Sequence, residues 1–404
     1  MDVSRHFPVK TLFTTVEYRD ACDALGEKEK IQKIDRLQER FKEYDVQSQT
    51  FESDDRNKVA IVFERINRAG TELKVFELLS AWSWSDDFDL VEKFKELQDE
   101  IAEHGYSDLC DEQDLQLRIC AGVITGETSP AKIMDLKGDE IRKRFPEIRA
   151  GIIGAIDFLK RELNASHFNL LPFPGALIPL SCFFATTKTD GQNYTDEQKR
   201  QIKTWFWRTV FSRRYSSDVN ERQATDINQI LALKADPNYK MRLPAADIKI
   251  DFARGNFLSS SASSRALILM LAQHRPHSFL SGAQIDLDRV LKQGSKHEFH
   301  HIYPQKFLSE QGLARQQINV LANICFLTRA DNGKIRASAP SKYSAEMPKD
   351  HRDQYLNEAL CPLDFDNDNY NLFIANRTDL LTDEAKELMG TRGGPLPAPT
   401  RPPA

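Results

Sequence analysis

From residue 28 to residue 274, apolar side chains return at spacings of three and four, stretch after stretch, and that period permits little besides packed helices. In 28–44, Ile31, Ile34, Leu37 and Phe41 form one stripe on an otherwise charged segment, the pattern of an exposed amphipathic helix. A helical segment is predicted over 59–84, interrupted by a turn at 67–70 and restarted behind a Thr71 cap. Further helices are predicted over 88–104, 132–145 and 151–163. Residues 170–186 are apolar and carry Pro172, Pro174 and Pro179, which predicts a turn leading into a buried helix. A strong helix is expected over 195–215, and a serine-capped one over 259–274.

The 195–215 segment interleaves Lys199, Arg200, Lys203, Arg208, Arg213 and Arg214 with Trp205, Phe206, Trp207, Phe211 and Tyr215. Such a mixture can bind nucleic acid. Its aromatics fall at helical spacing, however, and a core helix is the favoured reading. Beyond residue 283 the texture changes. Residues 297–304 and 318–328 are rich in β-branched and aromatic side chains and predict short strands, and 330–341 predicts a short helix. The expected architecture is therefore mainly α, a helical body followed by a small α+β unit. Its predicted parts are a helical segment over 1–110, the body over 111–282, the mixed unit over 283–345, a C-terminal helical segment over 346–389 and a Pro/Gly-rich disordered tail over 390–404.

Composition narrows the class. With 404 residues, 40% hydrophobic and 28% charged, the chain suits a globular protein of two or three domains. No apolar run reaches the roughly 18 residues that span a bilayer, so no membrane partner is expected. The six cysteines are scattered without a CxxC pair, which argues against a zinc ribbon or a disulfide framework and predicts a cytoplasmic setting. The net charge is −5, but 283–345 holds nine Lys/Arg against five Asp/Glu, a local +4 that leaves −9 for the rest. A basic island in an acidic chain can attract a polyanion, although ordinary charge fluctuation gives the same count.

Within that island, HEFHHIYPQKF places three of the chain's nine histidines in five positions, His297, His300 and His301. Cutting a phosphodiester needs a base for water, and imidazole titrates near neutrality. It also profits from a divalent cation held by oxygen and imidazole donors. Asn323 and Asn332 follow at 22 and 31 residues beyond His301, with Arg329, Lys334 and Arg336 around the second asparagine and Lys306 after the proline. The bland alternative is a histidine pair packed under a proline turn.

HHIYPQKFL followed by INVLANICFLTRADNGKIR resembles an HNH endonuclease of the ββα-metal fold. Carried over position by position, the resemblance implies His300 as a metal ligand and His301 as general base. It implies Asn323 as the residue whose carbonyl oxygen orients that base, and Asn332 as the second metal ligand. Glu298 falls where a further ligand or supporting carboxylate would sit. Arg329, Lys334, Arg336 and Lys306 are expected on the DNA backbone, and Mg²⁺ or Mn²⁺ is the expected cofactor. FERINRAGTELKVFELLSAW, LPFPGALIPLSCFF, KTWFWRTVFSRRYSS and LAQHRPHSFLSG resemble the ParB-like end and helical body of GmrSD-type modification-dependent restriction endonucleases, so 1–110 would be a remnant of the nucleotidase domain. The family's Asp-Gly-Gln-Gln-Arg nucleotide motif has no counterpart here; Asp190-Gly191-Gln192-Asn193 lies elsewhere and lacks the arginine. The resemblance thus implies a DNA nuclease of restriction or anti-phage defence, acting on modified or unmodified DNA. No nucleotide site is expected in this chain; a partner protein would supply the missing nucleotidase. Arg65, Asn67 and Gly70 fit a remnant of that pocket or a plain turn and cap equally well. A regulatory fragment of a split restriction complex and an RNA-cutting toxin are the alternative readings.

Overall fold

Helix dominates the structure, as the period of the apolar residues requires, and two three-residue strands make its only sheet among the described residues. The computed structural model describes residues 6–45, 50–52, 58, 62, 75–287 and 299–391. Glu298, the turn at 67–70 with Arg65 and Thr71, and residues 392–404 lie outside them. The chain divides into two compact units, Met1–Val62 and Phe63–Ala404.

In the first unit, α1 (Thr15–Leu25) and α2 (Lys28–Lys42) form a hairpin. Gly26 supplies the left-handed turn between them at φ 68°. The Tyr18 hydroxyl donates to Asp35 at 2.7 Å and the Gln38 amide to the Leu12 carbonyl at 2.6 Å. No residue of α2 is buried, which matches its single narrow stripe.

The second unit opens with α3 (Val75–Ser83), α4 (Leu90–Ala102), α5 (Gln113–Thr125) and α6 (Pro130–Met134). In α4, Leu90, Phe94, Leu97 and Ile101 all face the core, and Asp89 caps the helix by accepting from the Val91 N–H at 2.8 Å. Next comes α7 (Gly138–Leu163), one continuous helix of 26 residues with Pro146 inside it. The gap expected between 145 and 151 is helical, and the chain breaks instead between Met134 and Gly138. Phe145, Ile148, Ile152, Ala155, Ile156 and Leu159 form an unbroken buried stripe across Pro146, and their burial outweighs the one backbone hydrogen bond a proline forfeits.

Every residue of α8 (Leu177–Phe184) is buried. It lies close against α7 because Gly151 and Gly154 offer no side chain; a Cβ at Gly154 would stand 2.7 Å from the Phe184 Cβ. The Lys234 ammonium donates to the Cys182 and Ala185 carbonyls at the end of α8. Then follow α9 (Asp196–Phe211), started by a Thr195–Gln198 capping box, α10 (Val219–Ala235) and α11 (Ala262–Ala272). Trp205, Phe206, Trp207 and Phe211 are at most 1% exposed, so the aromatics of α9 are core. Apolar period does not announce α10, two of whose five buried residues, Gln223 and Asp226, are polar.

The remainder comprises β1 (Phe299–His301), α12 (Gln305–Glu310), α13 (Arg315–Ile318), β2 (Ile324–Phe326), α14 (Arg329–Ile335), α15 (Pro340–Ser344), α16 (Arg352–Glu358) and α17 (Tyr370–Leu388). The strands pair antiparallel, with His300 opposite Cys325 and His301 opposite Ile324. They are shorter than the segments that predicted them, because 315–323 winds into α13 and a single 3-10 turn before β2 begins. Leu321, Ala322, Ile324 and Phe326 join the core of the helical body, while Ile302, Tyr303, Cys325 and Leu327 pack into a second core with Phe365 and Phe373. No helix among the described residues is long and apolar enough to cross a membrane. All six cysteines are free thiols.

Candidate functional site

The hairpin β1–β2 and the helix α14 that follows it bring the histidine pair to one place. Behind His301 the chain turns at Tyr303-Pro304, and this turn is held from three sides. Asn323, fully buried, accepts from the Tyr303 N–H at 2.9 Å through Oδ1 and donates through Nδ2 to the Tyr303 carbonyl at 3.1 Å and the Ile318 carbonyl at 3.0 Å. The Tyr343 hydroxyl donates to the Ile302 carbonyl at 2.7 Å, and the Tyr303 hydroxyl to the Phe365 carbonyl at 2.6 Å. An amide that satisfies a backbone turn at both ends fixes the exit of β1, and with it the direction in which His301 leaves the strand.

The helix α14 starts at Thr328, whose hydroxyl accepts from the Asp331 N–H at 3.2 Å. Asp331 is fully buried, and its carboxylate accepts from the Ser278 and Ser281 hydroxyls and from the N–H groups of Leu280 (3.1 Å) and Ser281 (2.9 Å). Burial alone would raise its pKa; the hydrogen bonds from Ser278, Ser281 and Leu280 outweigh that and hold it below the usual carboxylate value. The first turn of α14 is thereby tied to the 278–281 loop, and Asn332 is its next residue.

His300, His301, Pro304, Gln305, Lys306, Ser309, Asn332 and Arg336 line one cleft of about 420 Å³. Of the residues expected to act, His300, His301, Asn332, Lys306 and Arg336 are therefore brought together. Adjacent residues of a strand point to opposite faces; here the strand ends at His301, and both histidines line the cleft. Arg329 and Lys334 are exposed on α14 and do not line it. Asn323 does not line it either. The contact on the imidazole of His301 that the resemblance assigned to Asn323 is made by Asn319, whose Oδ1 lies 3.1 Å from His301 Nε2. The Oδ1 of Asn323 is committed to Tyr303 instead. Burial pushes the pKa of His301 below the ordinary histidine value, and the Asn319 contact offsets only part of that. A neutral imidazole at pH 7 follows, with one lone pair for a proton.

Lys306 is exposed and 4.0 Å from Glu310, a pairing worth little in water. Arg336 is exposed at the end of α14 in an unusual backbone conformation, φ 48° and ψ −107°, with its Nε donating to the Gly333 carbonyl at 2.9 Å. His274 and His277 stand apart, paired with Glu384 and Glu358. Among the described residues no three His, Cys, Asp or Glu side chains converge on a metal position. Of the lining side chains, the two that the resemblance assigns to a metal are one imidazole and one amide carbonyl, His300 and Asn332. Two neutral donors would leave most of a cation's coordination shell to water and substrate oxygens.

Three residues that shape the site carry no signal in the sequence. Asn319 and Asp331 lie inside the quoted motif, yet nothing in their spacing separates them from ordinary turn and helix polar residues. Arg377 of α17 is fully buried and donates to the carbonyls of Ala322, Ile324, Ala359 and Leu360, so the C-terminal helix grips the hairpin on both sides of Asn323.

No protein-family model matches the chain. It is similar to the uncharacterized protein MJ0686 of Methanocaldococcus jannaschii, at 23% identity over 334 residues that cover 76% of this chain and 53% of that protein. The chain spans about half the length of the curated relative it matches.

Proposed function

We propose that the cleft between β1, α12 and α14 is the active site of a metal-dependent endonuclease of the HNH type, cutting the phosphodiester backbone of DNA. The observation that carries this reading is the convergence of His300, His301, Asn332, Lys306 and Arg336, from three separate elements, on one open cleft. His301 takes a proton from water, and the hydroxide attacks phosphorus in line with the departing 3′ oxygen. A neutral, partly buried imidazole is suited to this because its lone pair is free near pH 7. His300 and Asn332 would hold Mg²⁺ or Mn²⁺. When bound, the cation stabilises the charge that develops on the phosphoryl oxygens and the leaving group. Lys306 and Arg336 meet backbone phosphates, contacts that position a duplex without reading its sequence. The setting that the resemblance suggests is restriction of foreign DNA, with nucleotide control, where it exists, supplied by another protein.

The test is nicking of supercoiled plasmid by the full chain in Mg²⁺ or Mn²⁺, then in chelator, on plasmids with and without modified cytosines and on an RNA of similar length. Conversion to open circles that chelator stops is expected. The His301→Ala variant should lose at least about 100-fold in rate, the usual contribution of a positioned base. Equal nicking by wild type and variant would remove His301 from the role. Cleavage of the RNA alone would change the substrate.

A further inference from the structure

We infer that Asn319, held by a segment of the helical body, is the positioning residue for His301 and fixes which imidazole nitrogen accepts the proton. The inference rests on the nuclease reading for its consequence but on geometry for its content.

The amide of Asn319 has a determined orientation. Its Nδ2 donates to the Phe257 carbonyl at 2.9 Å, and a carbonyl oxygen accepts only, so the atom facing it must be the nitrogen. Oδ1 then faces His301 Nε2 at 3.1 Å. An amide oxygen accepts only as well, so Nε2 carries the proton. A neutral imidazole has one N–H, which leaves Nδ1 with the lone pair. Asn319 does not line the cleft; it acts through His301.

The support behind Asn319 comes from 252–257, the segment that leads into α11. The Phe257 N–H donates to the Asn319 carbonyl at 2.8 Å, so Phe257 holds that residue by backbone and side chain together. Asn256 forms an antiparallel bridge with Val320. Leu321 N–H donates to the Gly255 carbonyl at 2.8 Å and Ala322 N–H to the Phe252 carbonyl at 2.9 Å. The approach is close enough that a Cβ on Gly255 would meet the Asp251 carbonyl at 2.5 Å and Leu321 Cδ1 at 3.1 Å. The Phe257 ring packs on Phe299, the first residue of β1, at 5.5 Å between centroids. One short segment of the body thus borders both arms of the hairpin and orients its base.

The experiment reads the imidazole directly. Long-range proton–nitrogen spectra of the full chain carrying ¹⁵N-histidine, with His301→Ala identifying the signal, should show His301 protonated at Nε2 only. Asn319→Leu should give a mixture of both tautomers. Its kcat for plasmid nicking should fall about 10- to 100-fold, the loss typical of a misdirected group, with KM within about twofold. Asn319→Asp retains an oxygen facing Nε2, though its second oxygen meets the Phe257 carbonyl and its charge favours the imidazolium; it should hold Nε2 protonated, with kcat within about tenfold of wild type once the pH is raised enough to free Nδ1, which guards against Asn319→Leu failing to fold. A slow Asn319→Leu whose imidazole spectrum matches wild type would assign the loss to structure and overturn the positioning role, as would Asn319→Asp with Nε2 unprotonated. If wild type does not nick, the nuclease reading fails, while the spectra still decide what Asn319 does to His301.

Discussion

Replacing Arg377 with methionine tests whether the C-terminal helix is structurally part of the site. The guanidinium is fully buried in α17, and its acceptors are four backbone carbonyls: Ala322 at 3.0 Å, Ile324 at 2.8 Å, Ala359 at 3.0 Å and Leu360 at 3.2 Å. Hydrogen bonds from a charged donor are each worth about 1.5–3 kcal/mol, so their loss removes roughly 6–12 kcal/mol. Against that, the variant no longer buries a cation, and returning one to water recovers several kcal/mol. Methionine fills much of the volume, which limits any cavity cost. The balance is a destabilisation of about 3–5 kcal/mol, the range seen when one partner of a buried polar set is removed. At about 2 °C per kcal/mol for a unit of this size, the melting temperature should fall by roughly 6–10 °C. Differential scanning calorimetry of the full chain measures it. Arg377→Lys should recover less than half, because one ammonium cannot reach carbonyls spread along both 322–324 and 359–360 with the same geometry. A methionine variant that melts within about 2 °C of wild type would mean the four carbonyls find other partners, and the clamp would be incidental.

Three further perturbations separate the parts of the site. Asn332→Ala should weaken Mn²⁺ binding at least about tenfold by titration calorimetry, and unchanged affinity would remove it as a ligand. Asp331→Asn should cost about 2 kcal/mol, because an amide accepts less strongly from Ser278, Ser281 and Leu280 than a carboxylate does. The wild-type carboxyl is held below its ordinary value, so its contribution is complete above the unfolded pKa near 3.9 and is lost as pH falls through the lower folded value. The variant's acid melt should lack that component, and identical acid limbs would refute the reasoning. Arg336→Gly should relieve the backbone at φ 48° and gain about 1 kcal/mol, while the slope of log affinity for DNA against log salt loses about 0.9 with the departed phosphate contact. A variant that gained stability but kept the full slope would take Arg336 off the backbone.

The helices were legible because burial and period are both local. One stripe of apolar residues announces one helix, and the serine cap expected for the 259–274 helix falls at Ser261. The rule that proline ends a helix failed at Pro146 because the deciding quantity was not local. Phe145 packs on Phe88 and Phe94, and α8 closes on the same helix at Gly151 and Gly154; these partners lie outside α7, and no pattern within it reports where they will stand. The strands were legible in kind but not in length, since three-residue strands give period two no room to repeat.

The site divides along the same line. His300, His301 and Asn332 could be nominated because their chemistry is uncommon and their order along the chain is itself a signal. Asn319 and Asn323 are chemically equal and four residues apart, so sequence cannot say which one meets the imidazole. What separates them is the winding of 315–323. The Leu321–Asn323 turn carries Asn323 inward, where its amide closes the Tyr303 turn, and leaves Asn319 beside Phe257 with an oxygen facing His301. The partner that decides the matter, Phe257, lies 62 residues upstream of Asn319. The hydrogen bond on the imidazole of His301 is in that sense set by the packing of 252–257 against the hairpin, and a displacement of that segment relative to β1 would alter it through Asn319.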